Sequence, residues 1–411
     1  MIGILYTFFI FIYQLLLKLV ALWHPKAKAL VLGRKATWTI LQALPNSGKK
    51  RYWFHCASLG EYDMALPLIQ ACLSAQPELE IVLSFYSPSG MQHYHKRGFE
   101  PYAVFYLPAD RPLQMQRLIK AVQADRLYLL KYEFWPNLLQ KAQQVGLEVF
   151  AISTILRPSQ LYFKWYGTFF RRALQRVTYF AVQNEATQQL LLSVGIPTQQ
   201  IEILGDLRFN RVLEAKATAK PNAIIKQFTG SAPLLILGSS WPQEERILFD
   251  LLKGNEELLT KLNLKVLIAP HDLSQNHLTQ LGLAFPQLVF YSKMEDASFS
   301  ETPIMILDTI GHLSAAYQYG SVAFVGGGFS GSLHNILEPL VYGLPVLIGP
   351  KHEKFPEAQQ FIDLGFAHVV ETAQGLDQLL ISLIENRENT KTIIEKQVFN
   401  LQGKIGAKLL V

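Results

Sequence analysis

The amino-acid sequence predicts an α/β protein built of two doubly wound parallel sheets, and three observations carry that prediction. The chain has 411 residues, enough for two or three domains at roughly 150 residues each. Past residue 50 it alternates short runs rich in β-branched and aromatic residues with stretches of helical spacing, the pattern of parallel strands joined by crossover helices. The runs form two groups on either side of a polar stretch, which favours two sheets over one barrel.

Composition removes other classes. Half the residues are apolar, 17% are charged, and Gly (26) and Pro (21) are ordinary in number, so disordered and fibrous proteins are excluded. The two cysteines, Cys56 and Cys72, have no C-x-x-C spacing, which leaves neither a disulfide framework nor a structural zinc site and fits a reducing compartment. A net charge of +6 is too weak for a nucleic-acid coat and suits anionic small molecules or an anionic membrane surface.

Taken in order, residues 1–35 read as a membrane anchor with a basic flank. No charge occurs before Lys18, and the apolar run continues through Leu19–Trp23, close to the roughly 20 residues a bilayer span needs. Lys18, Lys26, Lys28, Arg34 and Lys35 follow the run, opposite to a cleaved secretory signal, and place the bulk of the chain in the cytoplasm. A helix lying in the interface, or a buried core helix, would look similar.

Strands are expected at Arg51–Cys56, Glu80–Phe85, Ala103–Leu107, Asp125–Leu130, Leu147–Ile152 and Thr178–Val182. In the second half they are expected at Pro233–Leu237, Leu264–Ala269, Gln287–Tyr291, Ile304–Leu307, Val322–Val325, Pro345–Ile348 and Ala367–Val370. The seam is expected near residues 206–230, dividing a domain at 36–210 from one at 211–388. Residues 389–411 lack strand signals and read as a helix.

Chemistry-bearing residues gather where strands end. In Ser321–Pro350 a strand runs into Gly326-Gly327-Gly328, and a helix is expected to begin near His334 or Asn335. Such glycines let backbone approach a ligand, and a helix start offers N–H groups to a phosphate. Glu338 points to the same crevice as a partner for ribose hydroxyls. The alternative is a tight turn with a carboxylate favoured by the helix dipole.

The first strand ends at Ser58-Leu-Gly60, and Glu61 opens the next helix, where it can serve as a general base or be no more than a first-turn carboxylate favoured by the helix dipole. Glu133, in Lys131-Tyr-Glu-Phe-Trp-Pro136, follows the fourth strand and supports Glu61 or holds substrate. The loops at Gly238–Trp241, Ala269–Asp272 and Asp308–His312 belong to the same edge as the glycines. There is no Asp-x-Asp pair, no zinc spacing among the histidines and no G-x-S-x-G elbow. No metal site is therefore expected.

Together Trp53–Glu61, Tyr132–Pro136, Gly205–Phe209, Asp308–Gly311 and Phe324–Pro339 resemble the bacterial 3-deoxy-D-manno-octulosonic acid (Kdo) transferases of lipopolysaccharide synthesis. The resemblance covers nearly the whole chain. It implies the GT-B fold, two Rossmann-like domains facing across a cleft, with an acceptor-binding first domain, a donor-binding second domain and a carboxyl-terminal segment that crosses back. It further implies inverting transfer of Kdo from CMP-Kdo to a lipid A precursor, at the cytoplasmic face of the inner membrane, without cofactor or metal.

The motif positions then assign catalysis to Glu61 and Glu133 and acceptor binding to Ser58 and Gly60. Donor binding falls on Ser239, His271, Gly311, Gly326, Gly327, Gly328, Asn335 and Glu338. The chain departs from the family at Ala269-Pro-His271, where Pro-Arg-His is common, and at Gly311-His-Leu313, where Gly-Glu-Leu is common. Arg208, Arg157 or Lys351 would then supply the basic contact. The competing readings are a glycosyltransferase using a UDP-sugar on another lipid, and a non-catalytic nucleotide-sugar scaffold.

Overall fold

The computed structural model describes residues 2–255, 257–285, 288–296 and 302–410. It divides into two compact units, Met1–Arg211 with Gln402–Val411, and Val212–Leu401. In the first unit the strands are β1 (Arg51–Cys56), β2 (Glu80–Phe85), β3 (Ala103–Tyr106), β4 (Arg126–Leu130), β5 (Glu148–Thr154), β6 (Tyr179–Val182) and β7 (Ile201–Ile203). They form one parallel sheet in the order β3-β2-β1-β4-β5-β6-β7.

All six residues of β1 are buried, as they must be in a strand covered by helices on both faces. Its side chains alternate between two cores. Tyr52, Phe54 and Cys56 pack with Tyr128 and Phe150, while Trp53 packs with Phe105 and Leu129 on the other face. His55 therefore shares the face of Trp53 although it is polar and fully buried.

The second unit repeats the plan with β8 (Leu234–Ser240), β9 (Lys265–Pro270), β10 (Leu288–Phe290), β11 (Ile304–Ile306), β12 (Val322–Val325), β13 (Val346–Ile348) and β14 (Ala367–Val369). The order is β10-β11-β9-β8-β12-β13-β14, again all parallel. The expected strands match these within a few residues, and the Gln287 end of the one expected at Gln287–Tyr291 lies outside the described residues. Each sheet reverses its winding once, between β1 and β4 and between β8 and β12. At such reversals the loops after the two central strands diverge and leave room for a ligand.

Two expectations are corrected, and one alternative is removed. First, β7 was not anticipated, because it has three residues and two of them, Glu202 and Ile203, are exposed at the sheet edge. Second, residues 389–411 are not one helix. The helix Arg387–Asn400 stops, and Gln402 then pairs with Asp206 in a parallel bridge.

Two glycines, Gly403 and Gly406, disfavour continuation of that helix. A Cβ at Gly403 would stand 2.7 Å from the Leu207 nitrogen, so the chain can pass there only as glycine. Beyond it Lys404 N–H donates to Leu204 O at 2.6 Å, Leu409 is buried in the core of the first unit, and Tyr128 Oη donates to Leu409 O at 2.8 Å.

Third, the amino-terminal helix Ile2–Val20 has no buried residue, which removes the core-helix reading. Among the described residues it is the one helix long and apolar enough to cross a membrane. Tyr6 ties it to the first unit by donating to Asp110 Oδ2 at 2.9 Å and by packing against the Phe169 ring at 5.4 Å between centroids.

Candidate active site

In the first unit the reversal point is occupied by two carboxylates. Ser58 is the cap residue of the helix Leu59–Ala75, exposed Gly60 lies in its first turn, and Glu61 folds back from that turn over the end of β1. The Glu61 carboxylate accepts the Ala57 N–H. It is 7% exposed. Burial first, and then the charge of Glu133, push its carboxyl up to about 7 against the pull of the Ala57 and Ser58 N–H groups and Lys131. A carboxyl poised there can take a proton from a hydroxyl at neutral pH.

Glu133 reaches the same place from the loop after β4, the strand beside β1. It accepts from Trp135 Nε1 at 3.1 Å, and its Oε2 lies 3.7 Å from His55 Nε2. The loop begins at Lys131, whose φ of +58° is uncommon for a residue with a side chain and is concentrated at functional turns. Beside Glu133 a cavity of about 470 Å³ is lined by Tyr6, Tyr132, Trp135, Tyr162 and Phe170 among others. The site thus joins a proton acceptor to an aromatic hollow.

In the second unit three loops converge. Ser239, with φ +51°, ends β8 and turns the chain into Trp241, whose ring stacks on His271 from the loop after β9 at 4.5 Å. His334, from the loop after β12, lies 4.8 Å from His271 and accepts Trp241 Nε1–H on its Nε2 at 3.2 Å. An indole nitrogen only donates, so the His334 proton resides on Nδ1. Burial and the neighbouring His271 hold the His334 pKa below its ordinary value, in keeping with a neutral ring.

Asn335 Oδ1 accepts Leu337 N–H at 3.1 Å, and its amide donates to Glu338 at 3.1 Å. Burial raises the Glu338 carboxyl, while hydrogen bonds from Asn335 and Ser314 lower it. Gly311, with φ +95°, begins the segment that leads to Ser314.

The glycine loop corrects two expectations. The helix after it starts at Leu337 rather than near His334 or Asn335, and it has five residues, too few to sum a substantial dipole. The loop N–H groups are also engaged. Gly326 donates to Gly238 O at 2.9 Å, and Gly327 donates to Glu244 Oε1 at 2.8 Å.

The glycines are required by packing within this unit. A Cβ on Gly326 would lie 2.1 Å from Ser239 O, and one on Gly328 would lie 2.4 Å from Gly349 N. Of the basic candidates, Arg208 is paired with Asp206 at 2.7 Å, and Arg157 and Lys351 are exposed. Among the described residues no cluster of three or more His, Cys, Asp or Glu side chains is placed to hold a metal.

Sequence reasoning missed Glu244 and His55. Glu244 is fully buried and accepts from both Trp241 N–H, at 3.1 Å, and Gly327 N–H, so it fixes the β8 and β12 loops to each other. Its signal was a Glu three residues after a helix cap and just past Pro242. The signal of His55 was a polar residue inside an otherwise apolar strand.

Residues 33–211 match the family described as 3-deoxy-D-manno-octulosonic-acid transferase (kdotransferase), a span that includes Ser58, Gly60, Glu61 and Glu133. The chain is 26% identical to the 3-deoxy-D-manno-octulosonic acid transferase of Chlamydophila psittaci, over 84% of this chain and 79% of that protein. It is 24% identical to the enzyme of the same name from Haemophilus influenzae, over 83% and 81%.

The UDP-GlcNAc 2-epimerase of Neisseria meningitidis superposes with a TM-score of 0.58 at 14% identity, over 84% of this chain and 94% of that one. At that identity the likeness is one of fold alone, two doubly wound parallel sheets of the GT-B kind. In residues 33–211 and in its relatives over most of its length, the chain is thus similar to the 3-deoxy-D-manno-octulosonic acid transferases, a family of glycosyltransferases.

Proposed function

We propose that this protein moves Kdo from CMP-Kdo onto a lipid A precursor of the lipid IVA type, with inversion, at the cytoplasmic face of the inner membrane. Glu61 removes the proton of the acceptor hydroxyl as the oxygen bonds to the anomeric carbon of Kdo. The bond from that carbon to the CMP phosphate breaks, and CMP leaves with the electron pair. Ser58 and Gly60 flank the acceptor hydroxyl, and Glu133 keeps the proton affinity of Glu61 high.

The donor is taken by the second unit. Asn335 and Glu338 hold ribose hydroxyls, Ser239 and the imidazoles of His271 and His334 offer donors to the phosphate, and Gly311, Gly326, Gly327 and Gly328 shape the loops around it. Since the Gly326 and Gly327 N–H groups are already engaged, side chains rather than a helix terminus meet the leaving charge. The exposed apolar face of Ile2–Val20 and the basic residues after it suit an enzyme whose acceptor is a lipid.

The observation that carries this reading is the buried Glu61, raised to about 7 and paired with Glu133 inside the family-matched segment. The test is CMP release and product formation by the purified full chain with CMP-Kdo and lipid IVA, beside UDP-hexoses with the same acceptor. Turnover with CMP-Kdo alone is expected. Turnover only with a UDP-sugar, or with no donor, rejects the proposal. The sequence lacks an Asp-x-Asp pair, so the rate is expected to be unchanged in excess EDTA; complete loss restored by Mg²⁺ or Mn²⁺ would show that a metal meets the phosphate charge.

A further inference from the structure

Behind Glu133 stands a buried polar chain that the reaction as described does not use. Trp53, Ser84 and His55 are all fully buried, on the adjacent strands β1 and β2. Trp53 Nε1 donates to Ser84 Oγ at 2.7 Å; Ser84 Oγ lies 2.9 Å from His55 Nδ1, and the Ser84 carbonyl oxygen, the acceptor for the opposite tautomer, lies 3.2 Å from the same nitrogen. The indole occupies an acceptor position of the hydroxyl and leaves the hydroxyl proton free to be donated onward. When it is donated to Nδ1, the imidazole proton sits on Nε2. That nitrogen has no hydrogen-bond partner, and it faces Glu133 Oε2 at 3.7 Å. The gap exceeds a hydrogen bond, and catalytic contacts in ligand-free enzymes are often long in this way.

We propose that His55 is a positioning residue for Glu133: the Ser84 hydroxyl, oriented by Trp53, donates to Nδ1 and leaves the imidazole proton on Nε2, from where it holds the Glu133 carboxylate in place beside Glu61. The inference rests on the general-base reading of Glu61, which it deepens. The other groups facing the two carboxylates are Lys131 on the Glu133 loop, Cys56 at the end of β1 and Tyr162 on the turn Leu161–Phe163, while Asp63 on the helix after β1 faces Cys56. Burial pushes the Cys56 thiol well up and Tyr162 to about 12, so both are neutral. Asp63 is held by Arg97 at 2.5 Å.

The substrate-free test is ¹⁵N spectroscopy of the full chain labelled at histidine in detergent, with His55 identified by its loss in H55N and H55Q. A proton on Nε2 and a bare Nδ1 are expected; the reverse tautomer overturns the proposal whatever the protein transfers. The kinetic test is the acid limb of kcat/KM. In H55N the amide can keep the Ser84 contact but falls short of Glu133, whereas in H55Q it reaches the Nε2 position.

H55N is expected to move the limb to lower pH by roughly one unit, since a Glu133 carboxylate no longer held beside Glu61 raises its proton affinity less. E133Q is expected to do the same, H55N/E133Q to move it no further, and H55Q to leave it in place. S84A, a small change that frees the imidazole to turn its proton to Nδ1, is expected to match H55N and serves if H55N does not fold. An unmoved limb in H55N and S84A, or equal loss in H55Q and H55N, overturns the proposal. Absence of Kdo transfer by the parent chain would reject the reading of function and leave the tautomer result to decide this one.

Discussion

Glu61→Gln is expected to lower kcat by about 10²–10⁴-fold, the range of lost general-base catalysis, with CMP-Kdo affinity within about twofold of the parent. The substitution is nearly isosteric. Its amide oxygen can still accept the Ala57 N–H that the carboxylate accepts, so the turn between β1 and the helix Leu59–Ala75 keeps its anchor. What disappears is the proton acceptor. Single-turnover rates and calorimetric donor binding separate the two effects, and an unchanged rate at saturating substrates would reduce Glu61 to a helix-start residue.

Glu244→Ala is expected to damage the second unit more than any other single truncation in its loops. The carboxylate is fully buried and accepts two N–H groups, from Trp241 and Gly327. Its removal leaves both donors unpaired away from water, at about 1–3 kcal/mol each. For a unit of this size each kcal/mol is worth about 2–4 °C, so a fall of roughly 5–20 °C in the Tm of the second unit is expected.

The donor should suffer as well. The same carboxylate fixes the loop that carries Ser239 and Trp241 to the loop that carries the glycines, so CMP affinity is expected to fall at least about tenfold as the loops lose their common anchor. Thermal scans with and without CMP check both. Glu244→Gln, which keeps one acceptor oxygen, should recover a good part of each loss. Parental Tm in Glu244→Ala would mean that water replaces the carboxylate and that the loops stand without it.

Much of this architecture was legible because buried parallel strands advertise themselves. β1 and β2 are short apolar runs bounded by turns, and their limits, Arg51–Cys56 and Glu80–Phe85, could be read without the structure. β7 could not, since a three-residue edge strand containing Glu202 has neither length nor apolar continuity. The break in the carboxyl-terminal helix was equally hidden. Its cause is a tertiary contact, the passage of Gly403 beside Leu207, on which the helical spacing before it is silent.

The site divides in the same way. Glu61 and Glu133 were readable as loop carboxylates at strand ends. That they act on one another depends on β4 lying next to β1, a matter of sheet order rather than of local sequence. The glycines of the second unit carried a strong local signal, which pointed to a ligand cradle. In the structure their missing side chains allow close backbone packing, and the N–H groups of Gly326 and Gly327 are engaged by Gly238 and Glu244. Glu244 and His55 escaped notice because a first-turn Glu and a strand His are common, and only burial with specific partners sets these two apart.

The central claim is that Glu61, its proton affinity raised by burial and by Glu133, is the base of the transfer. The most direct measurement is kcat/KM against pH for the full chain with CMP-Kdo and lipid IVA, because this ratio reports the titration of groups in the free enzyme. Glu61 must be ionised to act, and its pKa is raised, so activity is present above that pKa and is lost as pH falls through it. The account predicts a limb of unit slope centred near pH 7, absent from the residual activity of Glu61→Gln. A profile that stays flat down to about pH 5, within the ordinary carboxylate range, would contradict it.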